Sequence, residues 1–296
     1  MPWSTSPRVV ALRSRFRTVD VLVETLDGWR RHQSGRNASL LSFWGFLSIF
    51  PLMVVATTIV GLVLEGNEDL QRDIIDSALA DIPVLGSQLA ADPTSIDGSW
   101  TVLIIGLVTA LWSGTKVFVG AQLAFDDIWE IPIDDRDPMP MQRGRALVGL
   151  VVIGGSHVVS GGLSAFVQTA NLHDAGRFFL IIGSAVIHMS VIAAMYRYLT
   201  SASPSWRDVW PGAVAAGIVF GIVQHFATAL VTHITDNASD TYGQFALVLG
   251  LVTWLGLLAI ATLMSAELNA ALDQRRDRGA TGGNDLTATA HPPAAS

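Results

Sequence analysis

The sequence of 296 residues contains no cysteine, a single lysine and few charged residues. Without cysteine, neither a disulfide framework nor a thiolate metal site can form. Charged residues make up only 15% of the chain, whereas soluble domains usually carry about 25%. The net charge of -7 argues against a nucleic-acid partner, because binding to phosphates depends mainly on clustered lysine and arginine.

Half of the residues are hydrophobic, and they are concentrated in six long blocks. Each block has the length that a helix needs to cross about 30 Å of hydrocarbon. A chain in lipid must satisfy its backbone hydrogen bonds internally, so each block is predicted to be a helix. The fold class expected is therefore an all-α polytopic membrane protein with six transmembrane helices. The predicted spans are residues 38–64, 101–125, 146–170, 178–199, 209–234 and 244–272.

The arginines alternate from one connecting segment to the next. Fifteen of the 17 fall before the first block, between the second and third, between the fourth and fifth, or after the sixth. Only Arg72 and Arg177 fall in the other connections. Basic residues accumulate in cytoplasmic loops, so the pattern predicts a multi-pass protein of the bacterial plasma membrane with both termini in the cytoplasm.

The segments outside the spans are predicted to differ in character. Within residues 1–37, apolar residues at helical spacing indicate either an amphipathic helix on the cytoplasmic leaflet or a short helix packed under the bundle. The acidic loop 65–100 also has helical spacing, which predicts a helical extracytoplasmic cap. The tail, residues 273–296, is rich in Gly, Thr, Ala and Pro and is expected to be disordered. Residues 38–272 form the membrane domain between them.

Lys116 is the only lysine, and it lies within the second predicted span. A charged side chain at mid-membrane costs about 2.5 to 3.5 kcal/mol to insert, so it usually needs a partner or water. With Ser113 on the same helix face, and with Gln224 and His157 on other spans, it forms a hypothetical substrate-binding set for an anion. The alternatives are a lysine bound to backbone carbonyls and close helix packing at small residues.

Three further polar positions and one proline are candidates for moving parts. Asp127, Glu267 and Asn269 lie near the predicted cytoplasmic ends of their spans, and they are either a gate with a proton-linked carboxylate or solvated helix ends. Pro51 interrupts the hydrogen bonding of the first span and is a candidate hinge, although a simple kink has the same cause. Histidines occur at membrane depth on three spans without a metal-binding spacing, so no metal site and no cofactor are predicted.

Several stretches resemble the YihY/BrkB family of bacterial inner-membrane proteins. The first span contains Leu-Ser-Phe-Trp-Gly-Phe-Leu-Ser-Ile-Phe-Pro-Leu from Leu41 to Leu52, which is similar to the opening motif of that family. The segments 123–129, 206–213, 242–243 and 266–270 also resemble it, except that Asp127 stands where the family tends to have asparagine. The resemblance implies a six-helix inner-membrane protein without an established activity, although the family has carried ribonuclease and virulence-factor labels.

Three classes of function compete at this point. A transporter or flippase of an amphiphilic or anionic lipid-like molecule is favoured by Lys116 and the glycine-rich spans. A structural or partner-binding membrane protein of the cell envelope is the main alternative. An enzyme is the least favoured class, because no catalytic cluster, nucleophile motif or phosphate-binding loop is present. The expected partners are membrane lipids and an anionic amphiphile, and the sequence is also compatible with a homo-oligomer.

Overall fold

The fold is a bundle of long α-helices. The computed structural model describes residue 4 and residues 6–63, 100–169, 174–242 and 245–288, and the predicted extracytoplasmic cap therefore lies outside the described residues. Within these ranges there are eight α-helices and one short 3-10 helix, Ile133–Asp135. The α-helices are α1 Pro7–Arg15, α2 Arg17–Arg31, α3 Ser34–Val63, α4 Trp100–Ile128, α5 Met139–Thr169, α6 Asp174–Leu199, α7 Trp206–Tyr242 and α8 Phe245–Ala288.

Each of the six apolar blocks corresponds to one of the helices α3 to α8. Two stretches of the described residues, Leu103–Ile128 and Val248–Arg276, are long and apolar enough to cross a membrane. On the first of them Ile104, Ile105 and Val108 point outward and are about 60% exposed. An outward apolar face of this kind is expected where a helix meets hydrocarbon. The crossing of the bilayer by all six helices stays a prediction.

Several helices extend beyond the apolar blocks, because backbone hydrogen bonding continues equally well outside hydrocarbon. The largest difference concerns the predicted disordered tail: α8 continues to Ala288, and only residues 289–296 lie outside the described part. Two arginines of this extension form ion pairs with other helices. Arg275 lies 2.8 Å from Asp20 of α2, and Arg276 pairs with Asp208 of α7.

The second helix of the chain, α2, packs against α8 and α3. It buries Val21, Thr25 and Gly28, while Leu22 and Leu26 remain exposed by 59% and 44%. One face thus contacts the bundle, as the second sequence-based alternative proposed, and an apolar strip is left on another face. Contact of that strip with the cytoplasmic leaflet stays a prediction.

The core lies toward the end of the bundle at which α3, α5 and α7 begin and α2, α4 and α6 end. Its fully buried large side chains include Phe125, Tyr196 and Leu263. Small residues from several helices fill the space between them, which allows the helix backbones to approach closely. We call this end the arginine-rich end, because the connections 32–33, 129–138 and 200–205 meet there together with residues 267–276 of α8.

Candidate functional site

A buried carboxylate lies at the centre of the arginine-rich end. Glu267 of α8 is 2% exposed and accepts a hydrogen bond of 2.6 Å from the hydroxyl of Ser34, the first residue of α3. His32, in the turn between α2 and α3, brings its Nδ1 to 3.1 Å from both oxygens of Glu267. Three helices are therefore joined at one carboxylate, which sequence analysis proposed as part of a gate or a proton-linked site.

The opposite nitrogen of the same histidine faces a second carboxylate. Nε2 of His32 lies 3.4 Å from Oε1 of Glu130, which is 53% exposed. Carboxylates only accept hydrogen bonds, so the ring can donate to both of them only when both of its nitrogens are protonated. Burial lowers the pKa of His32, but the hydrogen bond that the ring donates to Glu267 and the negative charge of Glu267 outweigh this effect, so the pKa lies above the ordinary value. We call Glu267, His32, Ser34 and Glu130 the His32 cluster.

Two strained turns hold the exposed side of this cluster. Gln33 and Glu130 both have a backbone φ of 54°, a left-handed conformation that costs energy for residues other than glycine. Glu130 lies in the turn that follows α4. The N–H of Ile131 donates to the carbonyl of Asp126, and the N–H of Glu130 donates to that of Asp127. This is the Schellman arrangement, and glycine is its usual residue at the position of Glu130.

A cavity of about 370 Å³ has His32 in its lining. We call it the arginine cavity, and it is lined by Arg31, His32, Gln33, Arg36, Asp127, Glu130, Ile131 and Arg136. Arg31 and Arg136 pair with Glu130 and Asp127 at 3.0 and 2.9 Å, respectively. With a protonated His32 the lining carries four positive and two negative charges. The cavity therefore suits an anionic group that arrives from the surface of the bundle.

Glycine at position 28 allows Glu267 to reach the histidine. A Cβ atom at Gly28 would lie 2.4 Å from Oε2 of Glu267, well below any normal contact. The backbone of α2 thus approaches the carboxylate directly, and a larger residue would displace it. The close approach of α2 and α8 is a condition for the contact between His32 and Glu267.

Two neighbouring polar groups brace helices and do not face the arginine cavity. Asp126 is 1% exposed and accepts hydrogen bonds from the backbone and hydroxyl of Ser201 and from Thr200, which fixes the end of α4 to the connection between α6 and α7. Asn269, fully buried, accepts from the N–H of Gly212 at 2.6 Å and donates to the carbonyl of Val209 at 3.1 Å. All of these Asn269 contacts join α7 to α8.

The candidate substrate-binding residues are found in different surroundings. Lys116 is exposed on the outward side of α4, with its ammonium 5.8 and 6.0 Å from the rings of Trp112 and Trp44. Ser113 is 3% exposed and donates its hydroxyl to carbonyls of its own helix. Neither side chain lines the arginine cavity. The side chains of His157 and Gln224 lie outside the described part of the structure, although their backbones are helical.

The candidate hinge lies within a continuous helix. Pro51 is part of α3, which extends without interruption from Ser34 to Val63. The missing N–H of the proline leaves the carbonyl of Leu47 without its usual helical partner. A hinge at this position stays a proposal.

Metal binding has no support in the His32 cluster. The two carboxylates contact opposite nitrogens of one imidazole ring, so no single position is within ligand distance of all three groups. Elsewhere in the described ranges, too, no group of three or more His, Asp or Glu side chains could hold a metal ion.

Comparison with protein families shows to which family this chain belongs. A family model described as Virulence factor BrkB matches residues 25–289, which includes every residue of the His32 cluster. The chain belongs to the BrkB virulence-factor family. Together with the two long apolar stretches of α4 and α8, this membership identifies an integral membrane protein.

Relatives of this chain are distant in sequence but similar over most of its length. "Putative ribonuclease-like protein YfkH" of Bacillus subtilis (strain 168) is 22% identical over 267 residues, which cover 86% of this chain and 96% of YfkH. Inner membrane protein YhjD of Escherichia coli (strain K12) is 23% identical over 278 residues, 86% of this chain and 82% of YhjD. A UPF0761 membrane protein of Legionella pneumophila (strain Corby) is 26% identical over 263 residues, 86% and 61% of the two chains. No solved structure matches.

Sequence analysis missed both hydrogen-bond partners of Glu267 and did not place any arginine in a site. Arg31 and Arg136 entered only as markers of topology, and His32, Ser34 and Glu130 were not considered. Two signals were available: the polar run His32-Gln33-Ser34 between two predicted helices, and a glutamate where a helix end favours glycine. Neither signal indicates which other helix lies opposite.

Proposed function

We propose that this BrkB-family protein is a proton-linked transporter of an anionic amphiphile in the bacterial inner membrane. The observation that carries the proposal is the connection of buried Glu267 through His32 to Glu130 at the wall of the arginine cavity. A protein of this family named as an inner membrane protein supports the location. The predicted cytoplasmic side is the arginine-rich end.

The geometry of His32 suits proton transfer between the cavity and the bundle. A proton taken up on one ring nitrogen can be released from the other, which is how histidine serves as a shuttle. In this case the outer nitrogen faces Glu130 at 3.4 Å, and the inner nitrogen faces Glu267 at 3.1 Å. When Glu267 accepts the proton, it loses its charge and its hydrogen bond with His32 becomes weaker. The strength of the contact between α8 and the helices α2 and α3 therefore depends on whether Glu267 is protonated.

The charge of the arginine cavity supports an anionic substrate. Arg36 forms no ion pair with any residue that the structure describes, and the guanidinium groups of Arg31 and Arg136 retain donors beyond their carboxylate contacts. Arginine presents five N–H donors in a planar fork that matches phosphate and carboxylate groups. An amphiphile is proposed because the cavity opens on a bundle that belongs in lipid.

The main alternative is a structural role in which the cluster only attaches α2 and α3 to α8. Stability alone is a weak reason for such a cluster, because a buried ion pair often contributes less than well-packed apolar residues of similar volume. The two roles are distinguished by Glu130→Gly, which removes the carboxylate that contacts His32 without destabilising the fold. Glycine relieves the left-handed strain at position 130, so this variant should be as stable as wild type or more stable, by about 1 kcal/mol.

The test measures transbilayer movement of labelled phosphatidylglycerol in vesicles that contain the purified protein, with and without a proton gradient. Wild type should move the lipid faster than protein-free vesicles, at a rate that depends on the gradient. Glu267→Gln and Glu130→Gly should lose the dependence on the gradient. Asp135→Asn removes an exposed carboxylate from the neighbouring 3-10 helix and should behave as wild type. No movement beyond that of protein-free vesicles would favour the structural role, and gradient-independent movement by wild type would refute the proton linkage.

A further inference from the structure

A second cavity lies on the outer face of the bundle, between α5 and α6 and the beginning of α7. We infer that this α5–α6 groove binds one anionic phospholipid of the cytoplasmic leaflet. Its volume is about 420 Å³, and it is lined by Arg145, Val148, Gly149, Val152, Val191, Ala194, Met195, Arg197, Tyr198, Leu199, Ser203 and Trp206. It has no lining residue in common with the arginine cavity.

One end of the groove is cationic. Arg145 lies 2.6 Å from Asp137, and its guanidinium lies 5.8 Å from the centre of the Tyr198 ring. Arg197 donates to the carbonyl of Pro204 and forms no ion pair with any described residue. Each guanidinium therefore retains donors, and the three charged groups sum to one positive charge. A phosphate group of a lipid would restore neutrality at this end.

The rest of the groove is apolar and open to the surroundings. Val148 and Val152 are each 46% exposed, and Val191 and Met195 face them from α6. Val152 lies seven residues beyond Arg145, so the apolar wall extends about 10 Å along the helix from the cationic end. This length accommodates the glycerol region and the first carbons of an acyl chain below a head group.

Two aromatic side chains mark the depth of the cationic end. Tyr198 and Trp206 are 43% and 50% exposed, and the guanidinium of Arg197 lies 5.3 Å from the ring centre of Trp206. Tyrosine and tryptophan are enriched where hydrocarbon meets the head groups. Arginine above an apolar wall and beside such aromatics fits a lipid better than a free anion, which would leave the wall uncovered. The inference does not depend on proton-linked transport.

The experiment is native mass spectrometry of the detergent-solubilised protein titrated with phosphatidylglycerol or phosphatidylcholine. Wild type should retain phosphatidylglycerol preferentially. Arg197→Gln should weaken this binding about fivefold, the effect that one arginine near an anionic lipid surface typically has. Val152→Trp fills the groove without a change of charge and should weaken binding of both lipids. Arg207→Gln removes an exposed arginine one residue beyond Trp206 and should have no effect.

Other results of the same experiment would contradict the proposed lipid site. Equal retention of the two lipids by wild type, or equal losses in Arg197→Gln and Arg207→Gln, would overturn the inference. A dimer that dissociates in Val152→Trp would assign the groove to a second copy of the chain.

Discussion

The closest contact between α7 and α8 predicts that Gly212→Ala is strongly destabilising. A Cβ atom at Gly212 would lie 2.2 Å from the backbone oxygen of Ser265 and 2.5 Å from Nδ2 of Asn269. Real Cβ contacts are essentially never below 3.0 Å, so the helices must separate by roughly 0.8 Å at this point. Rotation of a side chain cannot remove the clash, because the nearest atom belongs to a backbone.

The magnitude follows from two contributions. Overpacking in a close-packed interior costs about 1 to 3 kcal/mol. The separation also breaks the two hydrogen bonds of Asn269 to α7, each of which contributes about 1 kcal/mol. We therefore expect a loss of about 3 to 5 kcal/mol. At about 2 °C per kcal/mol for a chain of this size, the melting temperature should fall by about 6 to 10 °C.

The assay is thermal unfolding of the purified variants in one detergent, with Gly221→Ala as the matched control. Gly221 is on the same helix, and no atom lies within 4 Å of the position of its Cβ, so alanine there should leave the melting temperature unchanged or raise it slightly. The double variant Gly212→Ala, Asn269→Ala should not recover stability, because the oxygen of Ser265 remains in place. Recovery in the double variant, or wild-type stability of Gly212→Ala, would refute the reasoning.

Two further predictions concern single residues. The raised pKa of His32 predicts stability that is fully present below about pH 6.5, the ordinary pKa of histidine, and is lost as the pH rises through the pKa of the folded state; melting curves of wild type should show this loss, and those of His32→Gln should not. Lys116→Met should preserve folding, because it removes only contacts with two indole rings, and should reduce movement of labelled phosphatidylglycerol, while Lys116→Arg retains part of it. Unchanged movement by Lys116→Met would contradict a substrate-binding role.

The helices were predictable because their signal is local. Blocks such as 101–125 and 209–234 are identified by length and polarity alone, and each lies within one helix of the structure. The alternation of arginines also agrees with the meeting of three connections and the last part of α8 at one end. The position of a helix depends on residues that are close in sequence. The side on which a connection lies depends only on the number of membrane crossings that precede it.

The partners across the bundle could not be predicted in the same way. Glu267 contacts a histidine that lies 235 positions earlier in the chain. Depth in the membrane can be read from position along a predicted span, and it predicts similar levels for Asp127 and Glu267. In the structure Asp127 lines the arginine cavity together with His32, which contacts Glu267. Which helix lies beside which is set by the packing of all of them, for example by the glycines at positions 28 and 212. A single sequence does not reveal that lateral order.

Two of the three non-glycine residues with positive φ in the described ranges line the arginine cavity. Gln33 and Glu130 adopt left-handed conformations that cost energy, and both line this cavity. Glycine would satisfy each backbone position without strain, but it would remove the glutamate that contacts His32. Strain of this kind persists only where the surrounding structure enforces it, and it often accompanies function. The strained glutamate beside a histidine and a buried carboxylate is therefore a stronger argument for proton transfer than the buried carboxylate alone.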